Sequence, residues 1–187
     1  MTKYSILSAL LVTTLIAASC KKEKDNEESN ENEIITTVKL TFTDRTSGAS
    51  STFVWKDLDG DGGNDPVIQD ITLQSASVYD VSLTLLNETQ NPAEDVTEEV
   101  EEESAAHRFY YEASGGLGLT VTDLDKDSEG ITLGLNSVWT TSGPGSGTIR
   151  LVLRHYPAGG KDETDPVNSS KSSTDMDVSF AVQVADL

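Results

Sequence analysis

Residues 176–184 read Met-Asp-Val-Ser-Phe-Ala-Val-Gln-Val, and this stretch decides the fold class. Met176, Val178, Phe180, Val182 and Val184 form one row, and Asp177, Ser179, Ala181 and Gln183 form the other. Side chains of an extended chain point alternately to opposite faces, so a period of two sends one row to a core and the other to water. The same alternation recurs upstream at Val38/Leu40/Phe42, Phe53/Trp55, Ile71/Leu73 and Tyr79/Val81/Leu83/Leu85. It continues at Phe109/Tyr111, Leu117/Leu119/Val121, Ile131/Leu133/Leu135 and Ile149/Leu151/Leu153. Turn-formers such as Ser47-Gly48, Asp59-Gly60, Gly115-Gly116 and Gly143-Pro144-Gly145 separate the runs. About nine short strands at this spacing predict an all-β domain, an antiparallel immunoglobulin-like β-sandwich.

One segment departs from the period. Asn91-Pro92-Ala93-Glu94 has the order of an N-cap, a first-turn proline and an early acid, so a short acidic helix is expected from there to about Ala106. Its apolar stripe is only Val96 and Val100, enough to cover an edge of the sandwich. Seven of the ten residues from Glu94 to Glu103 are acidic, which makes a solvated face or a surface for a cation or basic partner.

The amino-terminal end carries an address. Lys3, the apolar stretch Ile6–Ala18 and the small residues Ala17-Ala18-Ser19 have the parts of an export signal. That stretch is shorter than the roughly 20 apolar residues a spanning helix needs. Cys20, the sole cysteine, follows directly, which is the pattern of a lipoprotein signal cut after Ser19. Diacylglyceryl modification and acylation, with palmitate-class chains, would consume its thiol. At about 0.8 kcal/mol per buried CH₂, several chains anchor essentially permanently. Residues 21–33, KKEKDNEESNENE, hold no apolar residue and read as a disordered tether of roughly 20 Å, or about 45 Å at full stretch. The expected organisation is therefore a lipoprotein signal peptide at 1–19, lipidated Cys20 and acidic tether at 20–33, and the β-sandwich at 34–187. The expected place is the outer membrane, with the domain facing either the periplasm or the cell exterior.

The formal charge of −19 repels phosphate backbones, so no nucleic-acid partner is expected. It favours cations. The best constellation for one is Asp57-Leu58-Asp59-Gly60-Asp61-Gly62-Gly63-Asn64-Asp65. Carboxylates of Asp57, Asp59, Asp61 and Asp65 can converge when such a loop coils, with Gly62 at the turn. Calcium takes six to eight oxygens at about 2.3–2.6 Å. The loop resembles the D-x-D-x-D-G-x-x-D calcium hairpins of β-rich adhesion domains, and it departs from the EF-hand because Ile68 stands at position twelve. It reads either as a calcium site or as a glycine-rich turn whose aspartates face water; no other cofactor is expected. Asp123–Glu129 looks similar but carries Lys126 among the acids, and reads as a hairpin connection.

Catalysis finds little support. His107 and His155 are the only histidines and lack H-E-x-x-H spacing. Pro144 breaks any nucleophile elbow at Gly143–Gly147. His155 on a strand reads as a packed histidine. Trp55, Trp139, Tyr110 and Tyr111 either fill the core or form a sugar-stacking platform.

The stretch Ile34–Asp65, with Leu85-Leu86-Asn87-Glu88 and Asp95–Glu101, resembles a group of small uncharacterised Bacteroidota lipoproteins, some labelled "type 1 periplasmic binding domain". The resemblance supports the address and brings no activity; this chain is too short and strand-rich for the two α/β lobes that label suggests. The expectation is a non-enzymatic binding or adhesion module anchored through lipid, with a protein or glycan partner. The alternative is a glycan- or solute-binding accessory lipoprotein.

Overall fold

The computed structural model describes residues 33–60, 62–157 and 160–186. The signal peptide, Cys20, the tether up to residue 32 and Asp61 lie outside the described residues. Among the described residues no helix is long and apolar enough to cross a membrane.

The described chain is all-β with one helix and two sheets. In chain order the strands are β1 (Thr37–Asp44), β2 (Ser50–Lys56), β3 (Val67–Ile68), β4 (Ile71–Gln74), β5 (Val78–Asn87) and β6 (Glu94–Asp95). After the helix α1 (Val96–Glu102) come β7 (His107–Gly115), β8 (Leu119–Thr122), β9 (Asn136–Thr141), β10 (Gly145–His155) and β11 (Ser173–Ala185). One sheet has the order β3-β2-β1-β5-β9-β8, with β6 also paired to β5; the other has the order β4-β11-β10-β7. All pairs are antiparallel except β11 with β4, which is parallel, so the expected purely antiparallel arrangement is corrected at that edge.

The period-two rows become the core. Val38, Leu40 and Phe42 from one sheet and Ile149, Leu151, Leu153 and Phe180 from the other are fully buried in one cluster. At its centre Trp139 meets Phe42 and Tyr111 edge to face, at 5.1 and 5.9 Å between ring centres. Its indole N–H donates to Ser137 Oγ at 2.9 Å, so the buried polar atom is satisfied.

Three expectations are corrected. The helix starts four residues later than the Asn91 cap implies: Glu94 and Asp95 pair with Asn87 and Leu86 of β5, and Asp95 then caps the helix by accepting the Thr97 amide. The helix ends at Glu102, before Ala106, and His107 opens β7. Ile131–Leu135 is not a strand. Leu133 and Leu135 are buried, but the backbone there is spent on a turn around Asp125 and Asp127, and the regular strand begins at Asn136.

Candidate functional site

Where the carboxyl end of β2 and the amino-terminal segment before β1 face the start of β11, a cleft of about 540 Å³ opens between the sheets. Glu33, Asp57, Asp59, Asp175 and Asp177 line it, and among the described residues no lysine, arginine or histidine does. Asp177 already holds Arg150 at 2.6 Å; the other four have no such partner lining the cleft. Trp55 forms part of the wall. The large exposed apolar side chains of the described residues, Ile34, Leu58, Val67 and Ile68, gather at this end: Ile34 and Leu58 line the cleft, Val67 lines the neighbouring depression, and Ile68 pairs with Trp55.

The aspartate loop forms the rim. Asp57 accepts the amides of Asp59 and Gly60 at 3.3 and 2.9 Å. Asp59 accepts the backbone and side-chain amides of Asn64 at 3.1 and 2.6 Å, and these bonds hold its carboxyl below the usual range. The turn needs left-handed backbone at Gly60 and Gly62, with φ of +69° and +88°. A Cβ on Gly63 would lie 2.4 Å from Asp59 Cγ, so only glycine lets that carboxylate fold over the chain. Asp57, Asp59 and Asp65 together line a depression of about 320 Å³. The structure therefore brings three of the four sequence-predicted ligands around one space, and the fourth, Asp61, lies outside the described residues.

A second group lies below the rim, and its members come from distant parts of the chain. On β7 the inward row runs His107, Phe109, Tyr111, and on β10 it runs Leu151, Leu153, His155. Register pairs His107 with His155, so the apolar row of each strand ends on an imidazole. The rings stack with centres 4.8 Å apart. Beside them the β10–β11 register slips: Leu153 faces Met176 but Arg154 faces Thr174. Asp175 is the extra residue. Such a bulge re-aims a side chain, and the side chain of Asp175, which lies out of phase with the inward row from Met176, is instead buried against His107, with Oδ2 3.6 Å from Nε2. Glu33 Oε1 lies 4.0 Å from the same nitrogen. His107 Nδ1 is 3.2 Å from the Glu103 carbonyl oxygen, which can only accept, so Nδ1 carries a proton. His107 Nε2, His155 Nδ1 and both Asp175 oxygens are buried and make no hydrogen bond. Burial, then the Glu99 carboxylate and, less strongly, those of Asp175 and Glu103 push the Glu33 pKa up to about 7, against an opposing pull from His107.

A buried lysine braces this group. Lys161 Nζ donates to the carbonyls of Ser104, His107 and Thr132 at 2.7, 2.9 and 3.1 Å, and it pairs with Asp127 at 2.8 Å with both side chains 1% exposed. Asp127 also accepts the amides of Glu129 and Ile131, each at 2.9 Å. The Asp123–Glu129 segment is thus more than a hairpin connection: its acids organise a turn and hold a cation from 34 residues downstream. No local pattern marks Lys161, because its partners are set by the tertiary fold. The sugar-platform residues separate: Trp139 is core, Tyr111 donates to the Gly134 carbonyl at 2.6 Å, and Tyr110 hydrogen-bonds Tyr156 and the Asp165 carbonyl. Trp55 alone of the four lines the cleft.

No family model matches the chain, and no curated protein matches it. A solved structure, a nucleoside hydrolase-related hypothetical protein from Saccharophagus degradans that is associated with carbohydrate metabolism, is similar at 10% identity with a TM-score of 0.29. The match covers 66% of this chain and 24% of that one, so this chain spans about a quarter of that protein's length. A likeness this slight carries no argument about activity.

Proposed function

We propose that this chain is an outer-membrane-anchored lipoprotein that displays a non-enzymatic binding or adhesion module of the immunoglobulin-like β-sandwich type. Its binding surface is the acidic cleft and its apolar rim. The observation that carries this reading is the coincidence of two rare surface features at one end of the domain. The exposed large apolar side chains Ile34, Leu58, Val67 and Ile68 sit beside the carboxylates of Glu33, Asp57 and Asp59. Exposed apolar groups rimmed by polar ones mark interaction sites, and the acids select a partner with basic groups. Calcium held by Asp57, Asp59, Asp61 and Asp65 stiffens the rim. A glycan is the second reading, supported by Trp55 in the cleft wall beside Asp57 and Asp59.

The test is to probe the full chain against basic-peptide and glycan arrays, with Leu58→Asp, Asp57→Asn and Trp55→Ala as variants. A basic peptide whose binding Leu58→Asp and Asp57→Asn abolish supports the first reading. A glycan lost with Trp55→Ala supports the second. Silence on both arrays, or binding indifferent to all three variants, overturns the assignment of this surface.

A further inference from the structure

We propose that the histidine-capped end of the core is a site for one divalent transition-metal ion of the zinc class, held by His107, Asp175 and Glu33, with His155 as the fourth donor. It goes beyond the partner assigned to the cleft: Glu33 and Asp175 also line that cleft, but the imidazoles of His107 and His155 make a different donor set.

Three observations converge on it. The first is separation. His107 Nε2 lies 3.6 Å from Asp175 Oδ2 and 4.0 Å from Glu33 Oε1. These distances are too long for hydrogen bonds. They approach the roughly 3.3 Å spacing of neighbouring donors on a tetrahedral ion with bonds of about 2.0–2.2 Å. The second is satisfaction. Buried polar atoms are nearly always hydrogen-bonded, yet His107 Nε2, His155 Nδ1 and both oxygens of Asp175 are buried without a hydrogen bond. A cation placed among these buried atoms satisfies them by coordination. The third is support. A metal-bound histidine usually donates its other ring N–H to a carbonyl or carboxylate, and His107 Nδ1 does so to the Glu103 carbonyl at 3.2 Å. Lys161 in turn holds the His107 carbonyl at 2.9 Å, which fixes the backbone that carries the imidazole.

The donor set selects the ion. Imidazoles mixed with carboxylates suit zinc, nickel, cobalt and copper, whereas calcium and magnesium want oxygens alone. Glu103 offers a further carboxylate: one donor atom from each of Glu103, His107 and His155 lies within 4.8 Å of the others. Bound there, the ion ties the segment entering the domain at Glu33 to β7, β10 and β11.

The test is isothermal titration of the full chain, stripped with a chelator, using Zn²⁺, with Co²⁺ absorption to report nitrogen ligation. One zinc per chain is expected, undisturbed by excess Ca²⁺. His107→Gln and Asp175→Asn are expected to weaken it by more than about 100-fold, beyond the 10–100-fold that loss of a supporting partner costs. Because those two side chains are buried, Glu33→Gln at the edge of the group serves as the variant that keeps the fold, checked by circular dichroism. The rim variant Asp59→Asn should leave zinc binding unchanged. Absence of zinc binding, displacement by calcium, or zinc binding unaltered in folded Glu33→Gln and Asp175→Asn overturns the site. The peptide and glycan arrays are read independently, so failure here leaves the cleft assignment standing, and the reverse also holds.

Discussion

Replacing Lys161 with methionine removes an ammonium from the interior while keeping an unbranched stem of similar volume. In the native fold this nitrogen satisfies the carbonyls of Ser104, His107 and Thr132 and pairs with Asp127 at 2.8 Å, both side chains being 1% exposed. The substitution leaves a buried carboxylate without its counter-charge. Breaking a buried pair from one side costs about 3–5 kcal/mol, and we take about 4 kcal/mol as the expected loss in urea unfolding. In a domain of this size each kcal/mol moves Tm by roughly 2–4 °C, so calorimetry should show a drop of roughly 8–16 °C. Asp127→Asn alone should also destabilise. The double variant should be less damaged than the sum of the two, with a coupling energy of at least about 1.5 kcal/mol. The pH dependence has a definite sign. Burial raises the Asp127 pKa, but the Lys161 hydrogen bond and the amides of Ile131 and Glu129 outweigh it, and the net shift is downward. A depressed carboxyl contributes stability above its unfolded pKa of about 3.9, and that stability is lost as pH falls through the lower folded value. Acid titration should therefore destabilise wild type more steeply than Asp127→Asn below about pH 4. A cost under about 1 kcal/mol for Lys161→Met, or strict additivity in the double variant, would refute the account of a buried, energetically coupled pair.

Other outcomes are equally definite. Calcium should raise the melting temperature and chelator lower it, and Asp59→Ala should erase the difference; an unchanged melt across the titration removes calcium from the Asp57–Asp65 loop. Trp139→Ala should cost about 4 kcal/mol, the range for truncating a large buried aromatic, and should leave any glycan signal in folded protein intact, since the ring is fully buried; selective loss of that signal would restore the ring to a binding role. Globomycin treatment or Cys20→Ala should block maturation of the precursor, and normal processing of the alanine variant to a soluble product would rule out the lipid anchor.

Much of the fold was legible because alternation is a local property. Val38, Leu40 and Phe42, or Ile149, Leu151 and Leu153, declare their inward face from spacing alone, and each is fully buried. The errors fell where tertiary pairing competes with local preference. Asn91 and Pro92 have the residue types of a helix start, yet Glu94 and Asp95 gain hydrogen bonds to β5, and the cap moves to Asp95. Ile131–Leu135 alternates like a strand, but Asp125 and Asp127 draw that backbone into their own turn.

By itself the sequence determined the all-β class, the acid-rich surface and the rim loop, since composition, period and contiguous spacing involve neighbours along the chain. Only the tertiary structure decided what lies beneath the rim. His107 and His155 are 48 residues apart and meet through strand register. Asp175 joins them because a one-residue slip between β10 and β11 turns it inward. Lys161 meets Asp127 across a loop. A buried charge or an unpaired imidazole has no local signature, because its energy depends on which distant groups share its low-dielectric surroundings.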